Sequence, residues 1–166
     1  MNTLVFDIET VPDVELGRRL YDVADLDDAS VARVIFGIGT DILKVERVEQ
    51  TWQRFGDHFA RRLLLDEEQR LFATSKRPVR FLAMRFAAKE AIVKAMGTGF
   101  ANGVWIRDVG MLPNRLGQPQ VIFSERGREV CRQLGVGEGH LTLSDEGGLV
   151  VAVAVLMRAA AQGDAR

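Results

Sequence analysis

Residues 85–99 read RFAAKEAIVKAMGTG, from Arg85 to Gly99, and their reading decides the fold. From Arg85 to Met96 there is no Gly or Pro, and Ala, Met and Lys recur, so the composition predicts a helix. Gly97-Thr98-Gly99 then closes it, because glycine takes the left-handed backbone that ends a helix and leaves amides free for a ligand. Glu90 and Lys94, four apart, share one helix face, while Phe86, Ala87, Ile92, Val93 and Met96 offer an apolar surface. One helix thus carries a carboxylate, an ammonium and a terminal amide loop. Such a Glu/Lys pair is ordinarily only a solvated helix pair, and such a glycine only a cap. A functional reading needs a second element.

That element lies upstream. Residues 36–42 read FGIGTDI, a short apolar strand with two glycines that delivers Asp41. An acidic residue leaving a Gly-rich strand, with a glutamate on a helix, is a suitable pair of hard oxygen ligands for Mg²⁺.

Four motifs now stand in order: GIGTDI at 37–42, RFAAKEA and KAMGTG within 85–99, NRLGQP at 114–119 and HLTLSDE at 140–146. In order and spacing they resemble the holo-acyl-carrier-protein synthases, 4′-phosphopantetheinyl transferases of bacterial fatty-acid synthesis, over roughly residues 35 to 157. The resemblance implies an α+β 4′-phosphopantetheinyl transferase fold, a small antiparallel sheet packed on helices, assembled as a homotrimer with the site between subunits. It implies coenzyme A as substrate, an apo acyl carrier protein as partner, and Mg²⁺ held by Asp41 and Glu90. Lys94 would join those two as the third catalytic group. Arg85, Lys89 and the amides of Gly97, Thr98 and Gly99 would fix the coenzyme A phosphates, with Pro119 at the turn beside them. Relatives commonly have Gly-Lys-Pro where this chain has Gly117-Gln118-Pro119, which removes a charge from the turn but keeps its backbone. Many carry a histidine where Asp145 stands, so a mechanism that needs that histidine does not apply.

The charge pattern fits an acidic partner. The segment from Leu43 to Gln53 has helical spacing, with Lys44, Arg47 and Arg54 on one side and Arg61 and Arg62 following. Such a run is often no more than a solvated face. In the family the first helix receives the acidic carrier protein, and a basic stripe speeds and orients that encounter. The module is only mildly basic with few interleaved aromatics, which argues against nucleic acid.

At 166 residues, 47% apolar and 27% charged, the chain suits one globular domain with a short extension. It has no apolar run of the roughly 20 residues that a membrane-spanning helix requires, and its start lacks the pattern of a secretory signal. Cys131, the only cysteine, permits no intramolecular disulfide and should pack as a small apolar residue. A cytoplasmic protein is the simplest expectation.

The net charge of -1 conceals a break. Residues 1–33 hold eight acidic and three basic residues, net -5, and residues 34–166 hold fifteen and nineteen, net +4. Within the first segment, LVFDIETVPD resembles the first motif of DEDD-type 3′–5′ exonucleases. Asp7 and Glu9, two apart on a strand, could bind one metal. No later exonuclease motif follows, so the segment is expected to be an acidic extension (1–33) without activity. It precedes a transferase domain (34–158) and a fraying tail (159–166). The coincident changes of charge and resemblance suggest that two reading frames join near Val34 to Phe36. The alternatives to a transferase are an exonuclease fragment and a non-enzymatic carrier-protein binder.

The remaining segments predict a helix from Asp66, a central helix opened by Pro78 and a strand over Val104 to Leu112. A second strand should run from Gln120 to Phe123, and a helix capped by Ser124 over Glu125 to Leu134. His140 to Ser144 and Leu149 to Met157 should form a closing hairpin.

Overall fold

A computed structural model describes residues 34–159; the acidic extension with its Asp7 and Glu9, and nearly all of the tail, lie outside the described residues. The order is β1 (Ile35–Lys44), α1 (Val45–Leu63), α2 (Asp66–Phe72), α3 (Pro78–Ala95), β2 (Val109–Pro113), β3 (Pro119–Phe123), α4 (Glu125–Leu134), β4 (Val136–Glu146) and β5 (Leu149–Arg158). The strands make one antiparallel sheet in the order β1-β5-β4-β3-β2. The α+β fold with a small antiparallel sheet on helices is therefore as expected. Among the described residues no helix is long and apolar enough to cross a membrane.

The core is organised around α3, and small residues let it lie close to the sheet. Ala87, Ala88 and Ala91 of the helix and Ala152 and Ala154 of β5 are fully buried. On β1, a Cβ on Gly37 would sit 2.2 Å from the Ala95 carbonyl oxygen, and one on Gly39 would sit 2.1 Å from that of Ala91. Only glycine lets strand and helix backbones approach so closely. The two glycines read from the sequence thus dock the end of α3 beside Asp41. Leu82, Ile92, Val93, Val150 and Leu156 fill the rest of the interior. From Leu82 to Ala95 most of the helix is buried, with Lys94 exposed and Met84, Phe86 and Glu90 partly so, and the single apolar face expected for it is too narrow a description.

Three boundaries differ from expectation. Lys44 ends β1 rather than joining α1, and α1 kinks at Gly56 (φ 48°, ψ -135°), so Lys44, Arg47, Arg54 and Arg61 do not form one straight helical stripe. The strand expected from Val104 begins only at Val109, because Asp108 holds the preceding residues in a turn: its carboxylate accepts from the Trp105 amide at 2.7 Å and its own amide donates to the Trp105 carbonyl. Gly135 ends α4 in the left-handed conformation, and β4 begins at Val136 rather than at His140. Ser124 caps α4 as predicted, accepting from the Gly127 amide at 3.0 Å.

Candidate active site

Two clusters of carboxylates and cations flank α3. The first collects where β1 passes the helix C-terminus. The Lys94 ammonium donates to Asp41 Oδ1 at 2.8 Å and to the Thr40 carbonyl at 3.1 Å. Glu90, one turn earlier on α3 and half-buried, feels both groups. Burial, and secondarily the Asp41 charge, raise its pKa above the ordinary glutamate range, while Lys94 acts in the opposite sense. Lys94 stays about half exposed, so the cluster is open to solvent. Beyond it, Gly97 (φ 71°) and Gly99 (φ 57°) take the left-handed backbone, and the amides of Thr98 and Gly99 both turn back to the Val93 carbonyl. Those two amides therefore cap the helix, which corrects the expectation that they stand free for phosphate.

This pair suits a hard divalent cation by its chemistry: two carboxylate oxygen donors from neighbouring elements, whose mutual repulsion a cation would offset. Among the described residues no group of three or more His, Cys, Asp or Glu side chains gathers to hold a metal. The protein would thus contribute two carboxylates, with substrate oxygens and water completing the shell.

The second cluster is buried. Glu68 is fully enclosed; it accepts from the Leu65 amide at 2.9 Å and the Met111 amide at 3.0 Å, and meets the Lys89 ammonium at 2.9 Å. Lys89 is also fully enclosed and donates to the Val109 carbonyl. Its expected role as a phosphate contact does not match this placement: lying one residue before Glu90, it turns its side chain about 100° away into the core and is paired there with Glu68. Burial lowers its pKa, against the opposing pull of Glu68. Arg85 differs. Its side chain is 6% exposed, stacks on Phe81 at 4.1 Å and approaches Glu68 only to 3.4 Å, and its Nε has no hydrogen-bond partner. It lines a cleft of about 310 Å³ together with Met84, Met111, Gly117, Pro119 and Thr142, so Arg85 and Pro119 share one cavity. At the same α3–β4 seam Arg80 makes a two-point ion pair with Asp145, which holds the Asp145 carboxyl below its usual range.

A third feature escaped the sequence reading. Phe55 on α1 is 49% exposed, with Arg54 over its ring at 5.0 Å, and it lines an apolar cleft of about 390 Å³ with His58, Phe59, Arg62 and Ile106. An exposed aromatic among arginines was the available signal. Arg47, Arg54 and Arg61 are all exposed on the same helix, and Lys44 is exposed beside its start.

An antiparallel sheet packed on one largely buried helix, with an acidic pair and a lysine at the helix end, is the layout of a phosphopantetheinyl-transferring class of protein, and residues 37–154 match the family model of the 4′-phosphopantetheinyl transferase superfamily. Over 125 residues the chain is 47% identical to a holo-[acyl-carrier-protein] synthase of Vibrio cholerae, covering 75% of this chain and 99% of the relative. Among solved structures it is similar to the holo-[acyl-carrier-protein] synthase of Neisseria meningitidis (TM-score 0.70, 38% identity, 74% of this chain and 98% of that one). It is also similar to that of Bacillus anthracis, described as in complex with CoA (3′,5′-ADP) (TM-score 0.62, 32% identity, 76% and 99%). The chain belongs to the holo-[acyl-carrier-protein] synthase family.

Proposed function

We propose that this protein transfers the 4′-phosphopantetheine group of coenzyme A to a serine of an apo acyl carrier protein, releasing 3′,5′-ADP. The observation that carries the reading is the Asp41, Glu90 and Lys94 cluster, held together by the Gly37 and Gly39 approach to α3. Asp41 and Glu90 would hold Mg²⁺, which when bound offsets negative charge on the pyrophosphate oxygens. Lys94, ion-paired but half exposed, faces the same region and stabilises charge that develops on the departing phosphate. The carrier serine oxygen attacks the β-phosphorus, the bond from that phosphorus to the 3′,5′-ADP oxygen breaks, and the serine proton passes to Glu90 or Asp41, directly or through a water. Arg85 and Pro119 receive the nucleotide end in the 310 Å³ cleft, where a nearly dry guanidinium favours a phosphate.

The exposed arginines of α1 and the apolar cleft around Phe55 suit an acidic helical partner, with charge guiding approach and the aromatic burying surface. Ile42, 66% exposed on β1, lies beside Val151, 37% exposed on β5, leaving an apolar strip on the outer face of the sheet. A homotrimer that covers this strip belongs to the same reading, as does a cytoplasmic setting. Sedimentation of the protein tests it: a trimer that Ile42→Lys dissociates is expected, and a monomeric parent protein contradicts it. For the activity, Glu90→Ala should abolish Mg²⁺-dependent transfer, and near-normal turnover would remove Glu90 from the mechanism.

A further inference from the structure

We propose that the Glu68–Lys89 pair is a positioning device that keeps the Arg85 guanidinium unspent for an anionic ligand, without Lys89 or Glu68 touching that ligand. The inference rests on the reading of Arg85 as a coenzyme A contact and assigns the machinery behind it. The cluster holds one carboxylate and two cations: Glu68 and Lys89 are fully enclosed, and Arg85, 6% exposed, lines the cleft. Both cations share Glu68, but only Lys89 hydrogen-bonds it; Arg85 has a looser ion pair at 3.4 Å.

The competition for Glu68 sets this difference. One oxygen is taken by the Leu65 amide and Lys89, and the other by the Met111 amide. Arg85 is left with an ion pair at 3.4 Å, and its buried Nε has no hydrogen-bond partner. Arg85 lines the cleft beside Met111 and Pro119. Close approach of Glu68 to β2 is built in, because a Cβ on Gly110 would lie 2.9 Å from Glu68 Oε1. Lys89 meanwhile donates to the Val109 carbonyl, so the pair also pins the strand that leads to the cleft wall at Pro113 and Gly117. An anion in the cleft completes the charge balance of the cluster.

Removing Lys89 should therefore let Glu68 turn to Arg85 and consume it. The fold should tolerate this, since Lys89→Met leaves one buried carboxylate with one buried cation. The test is calorimetric titration of 3′,5′-ADP into the parent protein, Arg85→Met, Lys89→Met and the double variant, with steady-state KM for coenzyme A alongside. Arg85→Met and Lys89→Met should each weaken binding on the order of tenfold, as expected for one charge-assisted hydrogen bond. The double variant should bind no more weakly than either, and KM should rise more than kcat falls. Unchanged binding in Arg85→Met would overturn the reading of Arg85 itself, and the positioning role with it. Weakening in Arg85→Met with none in Lys89→Met, or additive losses in the double variant, would overturn the positioning role alone. Should Lys89→Met fail to fold, Lys89→Gln, which keeps an N–H for the Val109 carbonyl, is read by the same criteria.

Discussion

The two clusters on α3 contain the same chemistry and are used in opposite ways. Glu90 and Lys94 meet Asp41 at the surface, where Lys94 is about half exposed; Lys89 meets Glu68 fully enclosed, with Arg85 between that pair and the cleft. At the surface a charged partner can be exchanged, so a metal or a phosphate can enter and leave at modest cost. In the interior each ion depends on its neighbours, because an isolated buried charge costs several kcal/mol. The first arrangement suits catalysis and the second suits holding parts in place.

Glu68→Gln gives the sharpest contrast. It strands two buried cations and should cost about 3–5 kcal/mol of stability, measured by urea denaturation. A loss under about 1 kcal/mol, the scale of an ordinary surface substitution, would erase the distinction. Glu90→Ala should do the reverse: kcat falls roughly 10²–10³-fold or more, as when a transition-state electrostatic group is removed, while the urea midpoint hardly moves. Gly39→Ala sits between them. Its Cβ would meet the Ala91 carbonyl oxygen at 2.1 Å, so it should destabilise by about 1–3 kcal/mol and lower activity by moving Asp41 from Lys94. Activity at the parent level in the folded variant would show that the close β1–α3 approach does not set the open cluster.

The smallest effect concerns Asp108, which is intermediate: buried itself, but paired with an Arg126 that is half exposed. Burial pushes its pKa up, and the bonds from Arg126, the Trp105 amide and Ser124 outweigh that and hold it below the usual value. A depressed carboxylate stabilises the fold above its unfolded pKa, about 3.9, and that contribution is lost as pH falls through the folded value. Urea midpoints followed downward from neutral pH should fall less steeply in Asp108→Asn than in the parent protein. Parallel profiles would show that Asp108 contributes nothing to acid lability.

The open cluster was legible in the sequence because its parts carry local signals. GIGTD marks a strand that must lie close to something, and the i,i+4 spacing puts Glu90 and Lys94 on one face. The buried cluster was not. Glu68 reads as a third acidic residue in the first turn of α2, indistinguishable there from Asp66 and Glu67, which are exposed. Lys89 lies between Ala88 and Glu90 and looks as available as Lys94; only the direction of the helix relative to β2 turns it inward. Order, type and most boundaries of the elements followed from local pattern. The late start of β2 did not, because Asp108, within the expected strand, folds its carboxylate back onto the Trp105 amide and sets a turn that alternation does not signal.

The most direct test of the central claim is intact-mass spectrometry of a bacterial apo acyl carrier protein incubated with this protein, coenzyme A and Mg²⁺. A metal-dependent gain of one phosphopantetheine group, lost with Glu90→Ala and present at saturating coenzyme A with Lys89→Met, is the expected result. No gain with the parent protein, or a gain that Glu90→Ala leaves intact, would contradict the assignment of the open cluster as the site of transfer.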